Sequence, residues 1–178
     1  MKAVNKQALI DSLEQQVDAH LQQAIKVYQN LDADTLSRPS NTGGWSIAQC
    51  LEHLNSYGDY YLPHIEKTLR NNHSHSATFT SGWLGDYFTK SMDPQEGKKM
   101  KALKGHIPAA QLNSYAVVAE FIQQQEKLLI YLRQARKADL DIRIPITITK
   151  LIRLKLGDVF QFLIMHDERH IQQANRNL

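Results

Sequence analysis

Apolar residues recur at steps of three and four positions along most of this 178-residue chain, and this spacing constrains the fold more than any other feature. The first such stretch runs from Lys6 to Leu31 and places its apolar side chains on one face of a helix about seven turns long. Its apolar positions are Leu9, Leu13, Val17, Leu21, Ala24, Ile25 and Tyr28. A helix with one apolar face must bury that face, so the chain is expected to pack helix against helix.

Start and stop signals predict three further long helices. Ser46 and Gln49 have the spacing of an S-x-x-Q capping box, which predicts a second helix that ends near Arg70. Pro108 suits the first turn of a third long helix. The last helix is predicted to begin with Asp158 as its N-terminal cap, because a carboxylate there can accept a backbone N–H.

Two other segments are read differently. Residues Ser81 to Met92 are amphipathic and predict a short extra helix that lies across the others. From Ile142 to Leu156 isoleucines alternate as in a strand, but Pro145 interrupts them and no second strand pattern is apparent, so an extended loop is predicted.

The expected fold is an all-α four-helix bundle with long crossover connections. No composition shift divides the chain, so residues 1–178 are expected to form a single domain.

Composition excludes several classes of function. The formal net charge is only +3, and a cluster of loop lysines lacks the interleaved aromatic residues of a nucleic-acid surface, so no nucleic-acid partner is expected. These lysines are Lys98, Lys99, Lys101 and Lys104. No apolar run approaches the ~18 residues of a membrane span, and the N-terminus lacks the apolar core of a secretory signal, so a cytoplasmic protein with no membrane partner is expected. The single cysteine, Cys50, excludes an internal disulfide and a thiolate-rich metal site.

Two of the eight histidines have the spacing of metal ligands, and a third is placed to join them. His166 and His170 are four residues apart in the best-patterned helix, where two imidazoles can bind one metal ion. His53 lies at the edge of the inward face of the second helix and would add a third nitrogen. Three protein ligands with open positions left over are typical of a catalytic metal site. The alternative is that these rings only pack in the core or face solvent.

The same residues carry a resemblance to a known family. The segment Gly44–Leu54 resembles the signature W-S-x-x-x-x-L-x-H-L of the DinB/YfiT-like superfamily. His166 and His170, followed by Gln173, resemble its second signature, H-x-x-x-H with a nearby glutamine. Residues 82–85 and 152–158 are also similar to segments of the DinB-like branch, and the resemblance extends from about residue 5 to residue 178.

The resemblance implies an antiparallel four-helix bundle, a homodimer and a divalent metal held by His53, His166 and His170. Imidazole ligands suit several transition metals, of which zinc or nickel is expected. Relatives include S-transferases and isomerases that depend on low-molecular-weight thiols. The predicted function is therefore that of a metal-dependent S-transferase or hydrolase acting on a small molecule, with a low-molecular-weight thiol as a cosubstrate of the transferase. The competing prediction is a non-catalytic metal-binding or stress-response protein without turnover.

Weaker candidates surround this site. Asp167 occupies the place of the glutamate in the H-E-x-x-H helix of zinc peptidases, which suggests a general base, but it lies about 100° around the helix from His166. Gln173 is a candidate to orient His170, and Tyr57 either lines a pocket or packs in the core. Glu168 and Arg169 are expected to be surface charges. The remaining histidines are read as ordinary: His20, His64, His73, His75 and His106.

Overall fold

The computed structural model describes residues 1–41, 43–95, 101–149 and 151–178. Four long helices form an antiparallel bundle: α1 (Lys6–Lys26), α3 (Ile47–Leu69), α5 (Ser114–Ala135) and α6 (Leu156–Asn175). Two shorter helices, α2 (Ala33–Ser37) and α4 (Trp83–Met92), lie in the connections, with 3-10 turns at Tyr28–Asn30 and Lys104–His106. The predicted all-α bundle and its short extra helix are confirmed, and α4 packs against α6.

The first two long helices begin where they were predicted to, each with a side-chain cap. The Asn5 side chain accepts the Ala8 N–H at the start of α1, which ends at Lys26 rather than at Leu31 because the chain tightens into a 3-10 turn. At α3 both halves of the capping box are formed: the Gln49 N–H donates to the Ser46 hydroxyl at 3.2 Å, and the Ser46 N–H donates to the Gln49 side chain at 3.1 Å.

The starts predicted for the other two long helices were wrong. Helix α5 begins at Ser114, capped by the Asn113 side chain, and Pro108 lies in the preceding loop. Helix α6 begins at Leu156, whose N–H donates to the Ile142 carbonyl at 2.7 Å, so backbone carbonyls replace a side-chain cap. Asp158 instead lies inside the first turn and accepts the Gly82 N–H at 2.9 Å.

The prediction of an extended loop over residues 142–156 was also wrong. Strand β3 (Arg143–Pro145) pairs antiparallel with β4 (Arg153–Lys155), and Ile144 lies opposite Leu154 with both side chains buried. The partner strand β4 has only three residues, which is too short for a second alternating pattern to show in the sequence. A second pair, β1 (Val4–Asn5) with β2 (Thr78–Phe79), is shorter still and leaves no sequence signal.

The core fills the space between the four long helices. Its fully buried apolar side chains come from all four of them and include Ile10, Val17, Leu51, Ile65, Leu128, Leu132, Phe160 and Ile164. Among the described residues no helix has the length and apolarity needed to cross a membrane. Packing of α3 against α6 sets the distance between the two helices that carry the candidate ligands.

Candidate metal centre

The structure brings the three histidines of the two signatures together between α3 and α6. His53 projects from α3, and His166 and His170 project from successive turns of α6. One potential ligand atom from each ring lies within 4.8 Å of the other two. The Nε2 atoms of His53 and His166 are 3.1 Å apart. His53 and His166 are buried, whereas His170 is half-buried.

Hydrogen bonds fix which nitrogen of two of these rings is free to bind a metal. The His53 Nδ1 atom lies 2.6 Å from the backbone carbonyl oxygen of His106, and because a carbonyl only accepts, Nδ1 must donate the hydrogen. The His170 Nδ1 atom likewise donates to the Gln173 side-chain oxygen at 3.0 Å. In a neutral imidazole the other nitrogen then carries a lone pair, so both rings present Nε2 as a ligand.

The donor set fits a divalent metal ion. Two nitrogens that each lie ~2.0–2.1 Å from one ion are about 2.9 Å apart at a right angle and about 3.4 Å apart at a tetrahedral angle. The 3.1 Å separation of the His53 and His166 Nε2 atoms lies within that range. Three imidazole nitrogens also have the chemistry that zinc, nickel and similar ions prefer.

Burial keeps the three rings in the form that a metal binds. Desolvation lowers the pKa of His53, although the hydrogen bond to the His106 carbonyl opposes the shift. Desolvation, with the nearby rings of His170 and His53, lowers the pKa of His166 well below its ordinary value. Desolvation and the proximity of His53 lower the pKa of His170 to about 3. All three imidazoles are therefore neutral at neutral pH, as metal coordination requires.

Aromatic side chains pack around the histidines and hold their rings in place. The Trp45 ring stacks on His170 at 5.8 Å between centroids and lies 4.9 Å from His53. The Phe162 ring stacks on His166 at 5.8 Å with an angle of 6° between the planes. These contacts limit the rotation of each imidazole, so the ligand set is preorganised.

The family model of the DinB superfamily matches residues 16–174. The chain belongs to the DinB superfamily. Among solved structures it resembles YfiT from Bacillus subtilis, described as a probable metal-dependent hydrolase with an unusual four-helix bundle topology. The two chains share 17% identity with a TM-score of 0.56, covering 97% of this chain and 85% of YfiT, and the likeness supports the fold. A comparison with curated proteins finds no match.

His106 is a part of this DinB-superfamily site that the sequence did not predict. Its carbonyl accepts the His53 Nδ1–H, and its own Nδ1 lies 2.8 Å from the Ser56 hydroxyl. The Ser56 hydroxyl donates to the His53 carbonyl at 2.6 Å, so it accepts from His106. The sequence shows no signal for this contact, because His106 follows a loop and lies 53 residues from His53.

The two weaker site candidates take different positions. Gln173 holds the His170 ring, as noted above. Asp167 is 3% exposed, and its carboxylate accepts a hydrogen bond from the Gln125 side chain on α5 at 3.0 Å. Desolvation raises the pKa of Asp167 to about 6. Its described hydrogen bond thus goes to α5 rather than to a histidine, and its role as a general base stays a prediction.

Glu168 is not the surface charge that was expected. Its side chain is half-buried and lies 2.8 Å from Nε2 of His20, which had been read as an ordinary histidine. The hydrogen bond from His20 lowers the pKa of Glu168 and outweighs the effect of its burial. This contact joins α1 to the turn of α6 between His166 and His170. Cys50 is buried, and desolvation raises the pKa of its thiol to about 12, so the thiol stays protonated and unreactive at neutral pH.

Proposed function

We propose that this protein is a metal-dependent hydrolase of a small molecule, with a divalent metal held by His53, His166 and His170. The observation that carries the proposal is the convergence of three neutral imidazoles whose ligand atoms lie within 4.8 Å of one another. Membership of the DinB superfamily and the fold shared with YfiT, itself described as a probable metal-dependent hydrolase, support the same reaction class.

Three protein nitrogens leave coordination positions open for water or substrate. A divalent metal bound there lowers the pKa of water towards ~7 and so supplies a nucleophile at neutral pH. The protein's own residues orient the ligands: the His106 carbonyl holds His53, and the Gln173 side chain holds His170. Trp45 and Phe162 shield two of the histidine rings from water. Imidazole nitrogens bind several transition metals, of which we propose zinc or nickel for this site.

Metal analysis of the purified protein tests the ligand set. The wild type is expected to bind about one zinc or nickel ion per chain, and His53→Ala to lose it. The matched control is His64→Ala on the same helix, because His64 donates its Nδ1 hydrogen to the Tyr60 carbonyl and stacks on the Tyr60 ring outside the site. Equal metal content in wild type and His53→Ala, or no metal in either, would overturn the proposal.

Turnover by the metal-loaded protein tests the reaction. Hydrolysis of p-nitrophenyl esters and anilides is expected in the wild type and in His64→Ala but not in His53→Ala. Conjugation of glutathione to an activated aryl halide, without hydrolysis, would show instead that the centre is that of an S-transferase. Bound metal with neither reaction would identify a non-catalytic metal-binding protein.

A further inference from the structure

Tyr57 places a phenol beside the candidate metal centre. It follows His53 by four residues on α3 and therefore lies on the same face of the helix, one turn further on. Its ring centroid is 4.5 Å from that of His166 and 5.1 Å from that of His53. On its other side the His106 ring lies 4.2 Å away. The Tyr57 ring thus contacts two of the candidate ligands and the residue that orients one of them.

The Tyr57 hydroxyl has no hydrogen-bond partner in the part of the chain that the structure describes, although the residue is only 7% exposed. Nor is this oxygen among the fully enclosed polar atoms that lack a partner, so it opens to solvent. The hydroxyls of other tyrosines near the core do form hydrogen bonds within the protein. Tyr28 donates to Asn175, Tyr60 donates to the Ile146 carbonyl, and Tyr61 accepts the Thr147 N–H.

An unused hydroxyl at this position contributes nothing to packing that a phenylalanine would not. A tyrosine that packs in a core normally uses its hydroxyl within the protein, whereas this one is left to water or to a bound molecule. A phenol carries its hydrogen at neutral pH and can act as a donor. Tyr57 is therefore a phenol whose ring contacts two candidate ligands and whose hydroxyl is not engaged by any described residue.

We propose that Tyr57 is a catalytic residue whose hydroxyl donates a hydrogen bond to the carbonyl oxygen of an ester or amide substrate, an assignment that rests on the proposed function. When the oxygen of water bonds to the carbonyl carbon, the electron pair of the C=O double bond moves to the carbonyl oxygen, and the Tyr57 hydroxyl stabilises the negative charge that forms there. The pair then re-forms the double bond, and the leaving group departs with a proton from the water. Tyr57 keeps its own hydrogen throughout, so the net reaction consumes one ester or amide and one water.

The test compares Tyr57→Phe with Tyr61→Phe, which removes a hydroxyl one turn further along α3. Both variants are expected to retain the metal content of the wild type, because neither residue is a ligand. With p-nitrophenyl acetate, kcat is expected to fall about 10²–10³-fold in Tyr57→Phe, as for loss of one oxyanion donor, with little change in KM. Tyr61→Phe is expected to stay within about threefold of wild type, since its hydroxyl accepts from the Thr147 backbone instead.

A binding measurement separates this inference from the proposed hydrolase activity. Benzylphosphonate carries negatively charged oxygens around a tetrahedral phosphorus. Calorimetry is expected to show that its dissociation constant is at least tenfold higher for metal-loaded Tyr57→Phe than for wild type or Tyr61→Phe. Weaker binding to Tyr57→Phe without ester turnover by the wild type would contradict the hydrolase proposal but support the role of Tyr57 as a hydrogen-bond donor. Equal affinity in Tyr57→Phe and wild type, or no binding by the wild type, would overturn the donor role whatever the esterase result.

Discussion

At the scale of single residues, the orientation of the histidine rings depends on hydrogen bonds from their outer nitrogens. His53 is held by a backbone carbonyl, which no side-chain substitution removes, whereas His170 is held by the side chain of Gln173. His166 has a buried Nδ1 with no partner among the described residues, so packing against rings such as Phe162 and Tyr57 orients it. Gln173 is therefore the orienting group that mutation can remove cleanly.

Gln173→Leu is expected to weaken metal binding about 10–100-fold, because a ligand whose outer N–H has lost its acceptor is less well oriented and less basic. Competition with a chromophoric chelator measures the zinc dissociation constant directly. Gln172→Leu is the matched control, since the neighbouring amide donates to Glu168 rather than to a ligand histidine, and it should bind zinc as the wild type does. Unchanged affinity in Gln173→Leu would contradict the orienting role.

The residues of the site differ in how far the sequence reveals them. His166 and His170 are visible because helical periodicity puts them one above the other, and His53 because it stands in a signature segment. His106 and the pair of His20 with Glu168 are not visible, since their contacts join parts of the chain 53 and 148 residues apart. Only packing of the helices determines which distant side chains meet.

At the scale of elements, close backbone approaches fix how α4 and strand β2 pack on the start of α6. A Cβ atom at Gly85 would lie 2.2 Å from the Asp158 side chain, and one at Gly157 would lie 2.6 Å from the Phe79 ring. Both neighbours are buried. The first turn of α6 therefore needs glycine at 157 for space rather than for an unusual backbone conformation.

Gly157→Ala is expected to lower the free energy of unfolding by about 1–3 kcal/mol, because the Phe79 ring has no room to move away from the added methyl group. Urea denaturation followed by circular dichroism measures this change. Gly105→Ala is the control, since a Cβ at that position meets no atom within 4 Å, and its stability should stay near wild type. Equal stability of the two variants would show that the contact at Phe79 relaxes freely.

Asp158 makes the same junction sensitive to pH. Desolvation raises its pKa above the ordinary 3.8, against the opposing effects of the Gly82 N–H, Ser81 and Lys155, while Asp141 adds to the rise. The folded state therefore binds the proton more tightly than the unfolded state, so the carboxylate lowers stability increasingly as pH rises from about 4 through its raised pKa.

Asp158→Asn keeps an oxygen that can accept the Gly82 N–H but removes the charge. The variant's stability relative to wild type is expected to increase as the pH rises from about 4 to about 7. Parallel urea titrations at several pH values measure this difference. A difference that stays constant, or that moves in favour of wild type with rising pH, would contradict the raised pKa.

The elements were predictable where their signals are local. The capping box fixed the start of α3 because both partners lie within four residues. The start of α6 was misplaced because its first N–H groups donate to the carbonyls of residues 140 and 142 rather than to a side-chain cap. These carbonyls lie across a hairpin whose three-residue strands are too short to be predicted from the sequence. The start of α5 was misplaced because proline suits loops as well as first turns.

At the scale of the whole molecule, helical periodicity predicted the bundle, whereas the antiparallel arrangement followed only from the family resemblance. Periodicity tells which face of each helix is buried but not which helices are neighbours, since many arrangements bury the same faces. The homodimer, the cytoplasmic location and the single domain stay predictions, and sedimentation of the purified protein would test the first.

Metal binding is expected to stabilise the entire bundle, because the three candidate ligands join α3 to α6. A ligand at 100 times its dissociation constant adds about 2.7 kcal/mol to the free energy of unfolding. For a chain of this size that corresponds to a rise in Tm of about 5–11 °C. Zinc is expected to produce this rise in wild type and in His64→Ala, but not in His53→Ala, as measured by differential scanning calorimetry.

The number of transitions in the same scans tests the domain prediction. If residues 1–178 fold as one unit, the stabilisation at the histidines spreads through α1 and α5, which pack on the ligand-bearing helices, and a single transition moves as a whole. Zinc that shifts only one of two transitions would mean that part of the chain unfolds independently of the site. A zinc-induced shift that persists in His53→Ala would mean that the stabilising metal is bound elsewhere than at the proposed three-histidine site.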